Sequence, residues 1–486
     1  MRFPMPAPRH SPPRPSLARA PAWLLALALA GCAGAPPGDV PPLDVPAAWR
    51  HDAGAAGDPA GPGWWRRFGS GELAALIEQA RGGSFDLAAA AARVRQAQAQ
   101  ARIAGAPLLP EVSLSATAQR LREPQASVTG YYTAELFATY EIDLWGGNAA
   151  ARDSALATLQ GTARARDTVA LTLTASVAAS YLQAAALRER VDIAQRNLAT
   201  AERILALVAS RARAGAATPL ELAQQRGLVA TQRQDLEQRR QEARGSLTAL
   251  AILLGRPAPG FDIAASTLDG IAMPTVAAGV PAGLIVHRPD LAQAERALAA
   301  ADADIVAARA AMLPSLTLTA GAGVGADRLH DLLDTSLYSL AAGLAAPIFN
   351  AGRLAAGRDF AIARREELLA AYRGAIVNAF GDVENALNAV DGLTRQRDAQ
   401  AEALAQAREA ARLAESRYRA GAETLLTVLD AQRTLYAAQD NAVQLHLAQL
   451  QASVGLFRAL GGGWEDGAAA GGGNLLSRDA RPGTRG

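Results

Sequence analysis

A set of landmarks near the start of the chain returns about two hundred residues later. Phe85-Asp86-Leu87 through Leu109-Pro110 reappears as Pro289-Asp290-Leu291 through Leu313-Pro314, an offset of 204. Arg152-Asp153, Arg213-Ala214-Gly215 and Leu253-Leu254-Gly255 reappear as Arg358-Asp359, Arg419-Ala420-Gly421 and Ala459-Leu460-Gly461, each at an offset of 206. Alanine-rich helices resemble one another by chance; Pro, Gly and Arg-Asp landmarks in one register do not. Each copy therefore has the same order: helix, Pro, two short segments, a very long helix, a Gly turn and a return helix. Whatever one copy folds into, the other must fold into as well.

The short segments after each Pro have a period of two, which predicts strands. Val112, Leu114, Ala116 and Ala118 alternate with Ser113, Ser115, Thr117 and Gln119. Tyr132 through Ile142 alternates with Thr133 through Glu141, and Leu316 through Val324 with Ser315, Thr317 and Thr319. The last segment is read from Tyr338 to Ile348. One face is apolar and the other small or polar, at about ten residues each, as in tilted membrane strands around a wet lumen. Four strands cannot close a barrel, and open edges are not tolerated in lipid. The chain must then oligomerise: a trimer supplies twelve strands, a dimer eight.

The long helices are read from Ala149 to Arg213 and from Arg353 to Arg419, without proline. At 1.5 Å per residue, roughly 65 residues make about 98 Å. Such helices must project from any body this chain can form. Val177 with Tyr181, and Val383 with Leu387, mark their apolar faces. Return helices follow at Pro219–Leu254 and Leu425–Leu460, Pro219 sitting where a first-turn proline is welcome.

Half of the 486 residues are hydrophobic but only 5% are aromatic, which suits helices in close approach. All 48 basic residues are arginine, against 46 acids. Four of them (Arg2, Arg9, Arg14 and Arg19) precede residue 32, leaving 44 for the body. That near-balance argues against a nucleic-acid partner. The arginines lead into the apolar run Ala22–Ala30, too short to span a bilayer but suited to a signal peptide. It ends in Leu29-Ala30-Gly31-Cys32, which resembles a bacterial lipobox. Cys32 is the only cysteine, so it is the expected lipidation site, and a disulfide framework or a Cys-rich metal site is ruled out. Residues 33–63 read as a Pro/Gly-rich tether with no core of its own, and the glycine-rich end as a flexible tail.

Several segments together resemble the TolC- and OprM-type outer-membrane efflux factors, in their lipoprotein, NodT-like branch. They are Gly63-Trp64-Trp65-Arg66-Arg67-Phe68, Tyr140 through Gly146, His287-Arg288-Pro289-Asp290-Leu291 with Glu295, Pro347-Ile348-Phe349 with Gly352-Arg353-Leu354, Arg417 through Gly421, and Leu426 through Arg433. The resemblance implies a mixed fold: a homotrimeric outer-membrane β-barrel, four strands per chain and twelve in total, continuous with a long periplasmic α-helical barrel. It implies a passive exit duct, lipid-anchored in the bacterial outer membrane, coupled to an inner-membrane pump through a periplasmic adaptor. The expected organisation is a signal peptide at 1–31, a tether at 32–63, the first repeat at 64–257, a linker at 258–283, the second repeat at 284–462 and a tail at 463–486. The competing reading is a lipid-anchored, periplasm-spanning coiled-coil scaffold without a channel.

No catalytic constellation is visible, and the expectation is no enzyme, no metal and no cofactor beyond lipid on Cys32. His10, His51, His287, His330 and His446 are scattered without ligand spacing. Gly321, Gly323 and Gly325 form a GxGxG string, but no helix follows it, so a nucleotide loop is rejected. Trp145 is expected to anchor the barrel base at the membrane interface. The turns with Arg213 and Gly215, and with Arg419 and Gly421, lie at the far ends of the long helices; in the related proteins these tips contact the adaptor. Leu426, Asp430 and Arg433 share one helix face, whereas the first repeat has Leu220, Gln224 and Gly227 there. By resemblance they form a periplasmic gate, with Asp430 as a ring of three carboxylates.

Overall fold

The computed structural model describes residues 45–50, 58–59, 61–122 and 129–464. The signal segment, Cys32 and the tail beyond Trp464 lie outside them. The two repeats form the same elements in the same order. In the first, α1 (Gly71–Gly83) and α2 (Phe85–Gly105) precede strands β1 (Glu111–Leu121) and β2 (Thr129–Ile142). The long helix α3 (Gly147–Arg213) and return helix α4 (Pro219–Leu253) follow. In the second, α5 (Pro281–His287), α6 (Pro289–Ala310), β3 (Ser315–Ala326) and β4 (Ser336–Ala345) lead to α7 (Arg353–Arg419) and α8 (Leu425–Ala459). Both long helices have 67 residues and both return helices 35.

The strands form one antiparallel sheet in the order β1-β2-β3-β4, so the repeats meet at β2 and β3. Opposed residues share a face. The register sets Val112, Leu114 and Ala116 beside Ala138, Leu136 and Ala134, and these beside Ala320, Ala322 and Val324. Leu316, Ala320 and Ala322 in turn oppose Leu344, Leu340 and Tyr338. Every strand thus contributes apolar residues to one face. That face is open: Leu114 is 73% exposed and Tyr338 92%. β4 ends at Ala345, short of the Ile348 expected from alternation; Pro347 cannot donate to a ladder.

Of the long helices, α3 packs against α4 and α8, and α8 against α7. They stand in the order α4-α3-α8-α7, with α4 and α7 outermost. Helix α2 lies on α3, and α6 lies on both α3 and α7. Val177, Tyr181, Val383 and Leu387 are all buried, as their spacing predicts. A short 3₁₀ turn, Trp64–Phe68, inserts three aromatic side chains, Trp64, Trp65 and Phe68, into this body, and Trp64 stacks on Phe457 with centroids 4.8 Å apart.

The segment expected to be a coreless tether touches the body in two places. Trp49 is buried, packs edge-on against Phe380 and donates its indole N–H to Gly279 O at 2.9 Å. Asp58-Pro59 pairs in parallel with Val276-Ala277. A Pro- and Gly-rich composition hid a single large aromatic, which outweighs its neighbours in buried area. At the other end Trp464 packs too: its N–H meets Asp167 and the Arg164 guanidinium covers its ring.

Candidate functional site: the helix tips, the gate face and the strand base

Both long helices end identically. Ala216 N donates to Arg211 O at 2.8 Å and Gly215 N to Ala212 O at 3.1 Å. Ala422 N donates to Arg417 O at 2.9 Å and Gly421 N to Tyr418 O at 3.0 Å. These are Schellman caps, and they need a residue in the left-handed region at the turn. Gly215 and Gly421 supply it, at φ 71° and 76°. The return helices then start on Thr218 and Thr424. Thr218 and Glu221 form a reciprocal capping box. At the second tip Glu423 takes that part, accepting from Thr424 N–H and the Thr427 hydroxyl. Those bonds, with Arg417 nearby, hold its carboxyl below the usual range.

Beneath the caps lies an apolar cluster drawn from all four long helices, including Ile204, Val208, Leu228, Tyr418, Leu425 and Val428. It joins the two tips. Arg211 completes the join from the first repeat, donating to Tyr418 O at 2.8 Å with its guanidinium 4.7 Å from the Tyr418 ring centre. Burial pushes the Tyr418 hydroxyl pKa up. The turns themselves project: Arg213, Gly215, Arg419 and Gly421 are all exposed, Arg419 pairing with Glu415. The clasp was not legible in sequence. The residue equivalent to Tyr418 in the first repeat is Ala212, so no repeat pairing pointed to it.

Leu426, Asp430 and Arg433 share one exposed face of α8. Leu426 is 57% exposed, and the Asp430 and Arg433 side chains approach to 3.9 Å. The opposite face, with Leu425, Val428, Leu429 and Gln432, is buried. Leu220, Gln224 and Gly227 are likewise exposed on α4, so the two repeats share the pattern and differ only in its charge. One turn further on, burial raises the Tyr436 phenol to about 12, helped by Glu415 and opposed by Arg203; its hydroxyl donates to Asn197 O at 3.3 Å. Higher on the same helix Asp440 accepts two bonds from Arg190 of α3, at 2.6 and 3.0 Å, with Arg239 of α4 at 3.7 Å. Helix α8 is thus held to the first repeat along its length.

At the other end of α3, Trp145 donates its indole N–H to Pro314 O at 2.7 Å, tying the base of β2 to the base of β3. Its ring is 36% exposed. Asp143 accepts from Asn148 N and Ala149 N and so caps α3. Arg288 of the His-Arg-Pro-Asp segment forks onto Asp290 and also reaches Asp382 and Ala459 O. It joins α6, α7 and α8, a structural role. Among the described residues no group of His, Cys, Asp and Glu is placed to hold a metal.

The model of the outer membrane efflux protein family matches residues 76–256 and 280–462. The chain belongs to that family. It is 50% identical to the pyoverdine export outer membrane protein OpmQ of Pseudomonas aeruginosa, over 90% of this chain and 95% of that one. It is 33% identical to the toluene efflux pump outer membrane protein TtgF of Pseudomonas putida, over 91% and 96%. The open state of the Neisseria gonorrhoeae MtrE outer membrane channel superposes with a TM-score of 0.82 at 30% identity, covering 88% and 98%. The chain is an outer-membrane exit component of an efflux system; its work is transport.

Proposed function

We propose that three copies assemble into a passive exit duct. Their twelve strands close a barrel with its apolar face to lipid and its polar face to a wet lumen, and the long helices continue it as a second barrel in the periplasm. The observation that carries this reading is the sheet: four strands, one largely apolar exposed face and two unpaired edges, β1 and β4. Such edges are not stable in a bilayer until other strands cover them. The helix layer has the same property, since α4 and α7 are both outermost.

In this assembly Cys32 carries lipid, Trp145 anchors the barrel base at the interface of the outer membrane, and the tips around Gly215 and Gly421 receive a periplasmic adaptor. Leu426, Asp430 and Arg433 line the periplasmic narrowing, where three carboxylates filter ions by charge. An inner-membrane pump supplies the energy. The 50% identity to pyoverdine exporters, against 33% for a toluene pump component, makes a pyoverdine-like molecule the first cargo to test. Mild crosslinking of the native protein in cells is expected to give a trimer and to capture an adaptor and a pump. Palmitate labelling is expected to tag the protein and to fail for Cys32→Ser. A Cys32→Ser protein recovered as a soluble monomer would instead establish the scaffold.

A further inference from the structure

The polar face of the sheet has a feature that strand formation does not require. Gly321, Gly323 and Gly325 occupy alternate positions of β3 and all point to that face. Glycines there weaken a strand and leave a trough in its surface. The trough is roofed by side chains from both neighbouring strands. A Cβ at Gly321 would come within 2.7 Å of Ser339 Oγ and 3.1 Å of the Phe137 ring. One at Gly323 would meet the neighbouring strand's backbone at Ala134 O and Glu135 Cα as well as Glu135 Cγ at 2.8 Å, and one at Gly325 would come within 2.6 Å of Leu337. Glu135 opposes Gly323 and Phe137 opposes Gly321, so a carboxylate and a phenyl ring lie side by side over the glycines. Phe137 and Leu337 break the polar alternation of this face, which is a defect unless it serves a purpose. Glu135 is half-buried, and its carboxylate has no hydrogen bond or cationic partner among the described residues. Glu111 and Glu141 carry further negative charge on the same face.

We infer that Phe137 and Glu135, laid over the Gly321-Gly323-Gly325 trough, form a contact site for cargo that is both aromatic and cationic. The phenyl ring offers a flat apolar face, and the adjacent carboxylate rewards a positive charge held against it. This rests on the duct reading, in which the polar face lines the lumen and the trimer presents three such sites. Anionic cargo of the same size gains nothing from Glu135 and passes without holding.

The test is fluorescence anisotropy of ethidium, an aromatic cation, titrated with the detergent-solubilised full-length protein; fluorescein serves as the aromatic anion. Ethidium is expected to bind and fluorescein not. Phe137→Leu keeps the trough filled and Glu135→Gln keeps its shape, so both variants retain the sheet. Each is expected to raise the half-saturating protein concentration by roughly threefold or more. Glu111→Gln, away from the glycines, is expected to change it less. The same preparations are inserted into planar bilayers. Wild-type protein that conducts, with ethidium binding equal in all variants or absent, overturns the site. Wild-type protein that neither conducts nor binds ethidium overturns the duct reading, and the site with it.

Discussion

A side chain at Gly421 would stand in open space, whereas one at Gly461 would meet the His287 carbonyl. Both glycines have positive φ, at 76° and 87°. Gly421→Ala is therefore expected to cost only the left-handed strain of about 1–2 kcal/mol. Gly461→Ala adds a clash with backbone and is expected to cost about 3 kcal/mol or more. Loss of helical circular dichroism on heating measures both, and equal shifts would remove the close approach from the account. Gly255 makes the same approach to Gly83 O in the first repeat, so the two copies solve one packing problem in one way. Sequence reading found Gly215 and Gly421 as caps because capping is local. It matched Gly461 to Gly255 as a repeat landmark but gave it no packing role, because the carbonyl it must avoid is 174 residues away in the chain.

The helices and strands follow from local chemistry. The proline-free runs, the cap residues and the strict alternation all act within a few residues of where they stand, which is why element ends fall within a few residues of expectation. What joins the elements is less local. Arg288 gathers α6, α7 and α8 through Asp290, Asp382 and Ala459 O. Burial works to raise the Asp290 pKa, but the Arg288 fork outweighs it and holds the carboxyl below its ordinary value. A depressed carboxylate contributes stability that is present above its unfolded pKa, near 4, and is lost as pH falls through the folded value. Asp290→Asn is thus expected to lower the melting temperature at pH 6 and to match wild type once the pH is well below 4. A melting-temperature gap that persisted unchanged at low pH would show that charge is not what Asp290 contributes.

For the whole molecule, the decisive property is that both layers are unfinished. The sheet ends on unpaired β1 and β4, and the helix layer on α4 and α7. If three copies close them, Asp430 faces its own symmetry mates at the narrowing, where little bulk water screens three like charges. Two carboxylates about 6 Å apart repel by roughly 0.7 kcal/mol in water and about 2.8 kcal/mol at an effective dielectric of about 20. Asp430→Ala is expected to raise closed-state conductance and to weaken cation preference, read as a shifted reversal potential in a salt gradient. Gln224→Ala, at the matching place in the first repeat, is expected to do less. Unchanged conductance and reversal potential for Asp430→Ala would return that residue to an ordinary solvated helix face. The sequence alone determined the repeat, the strand faces, the helix lengths and their caps, since each arises from periodicity and from contacts close along the chain. Only the tertiary structure decided that Arg211 clasps Tyr418, that Trp49 docks against Phe380 and that Phe137 lies over Gly321. Each of these joins residues far apart in sequence, and their proximity is set by how helices pack and strands register rather than by any local preference.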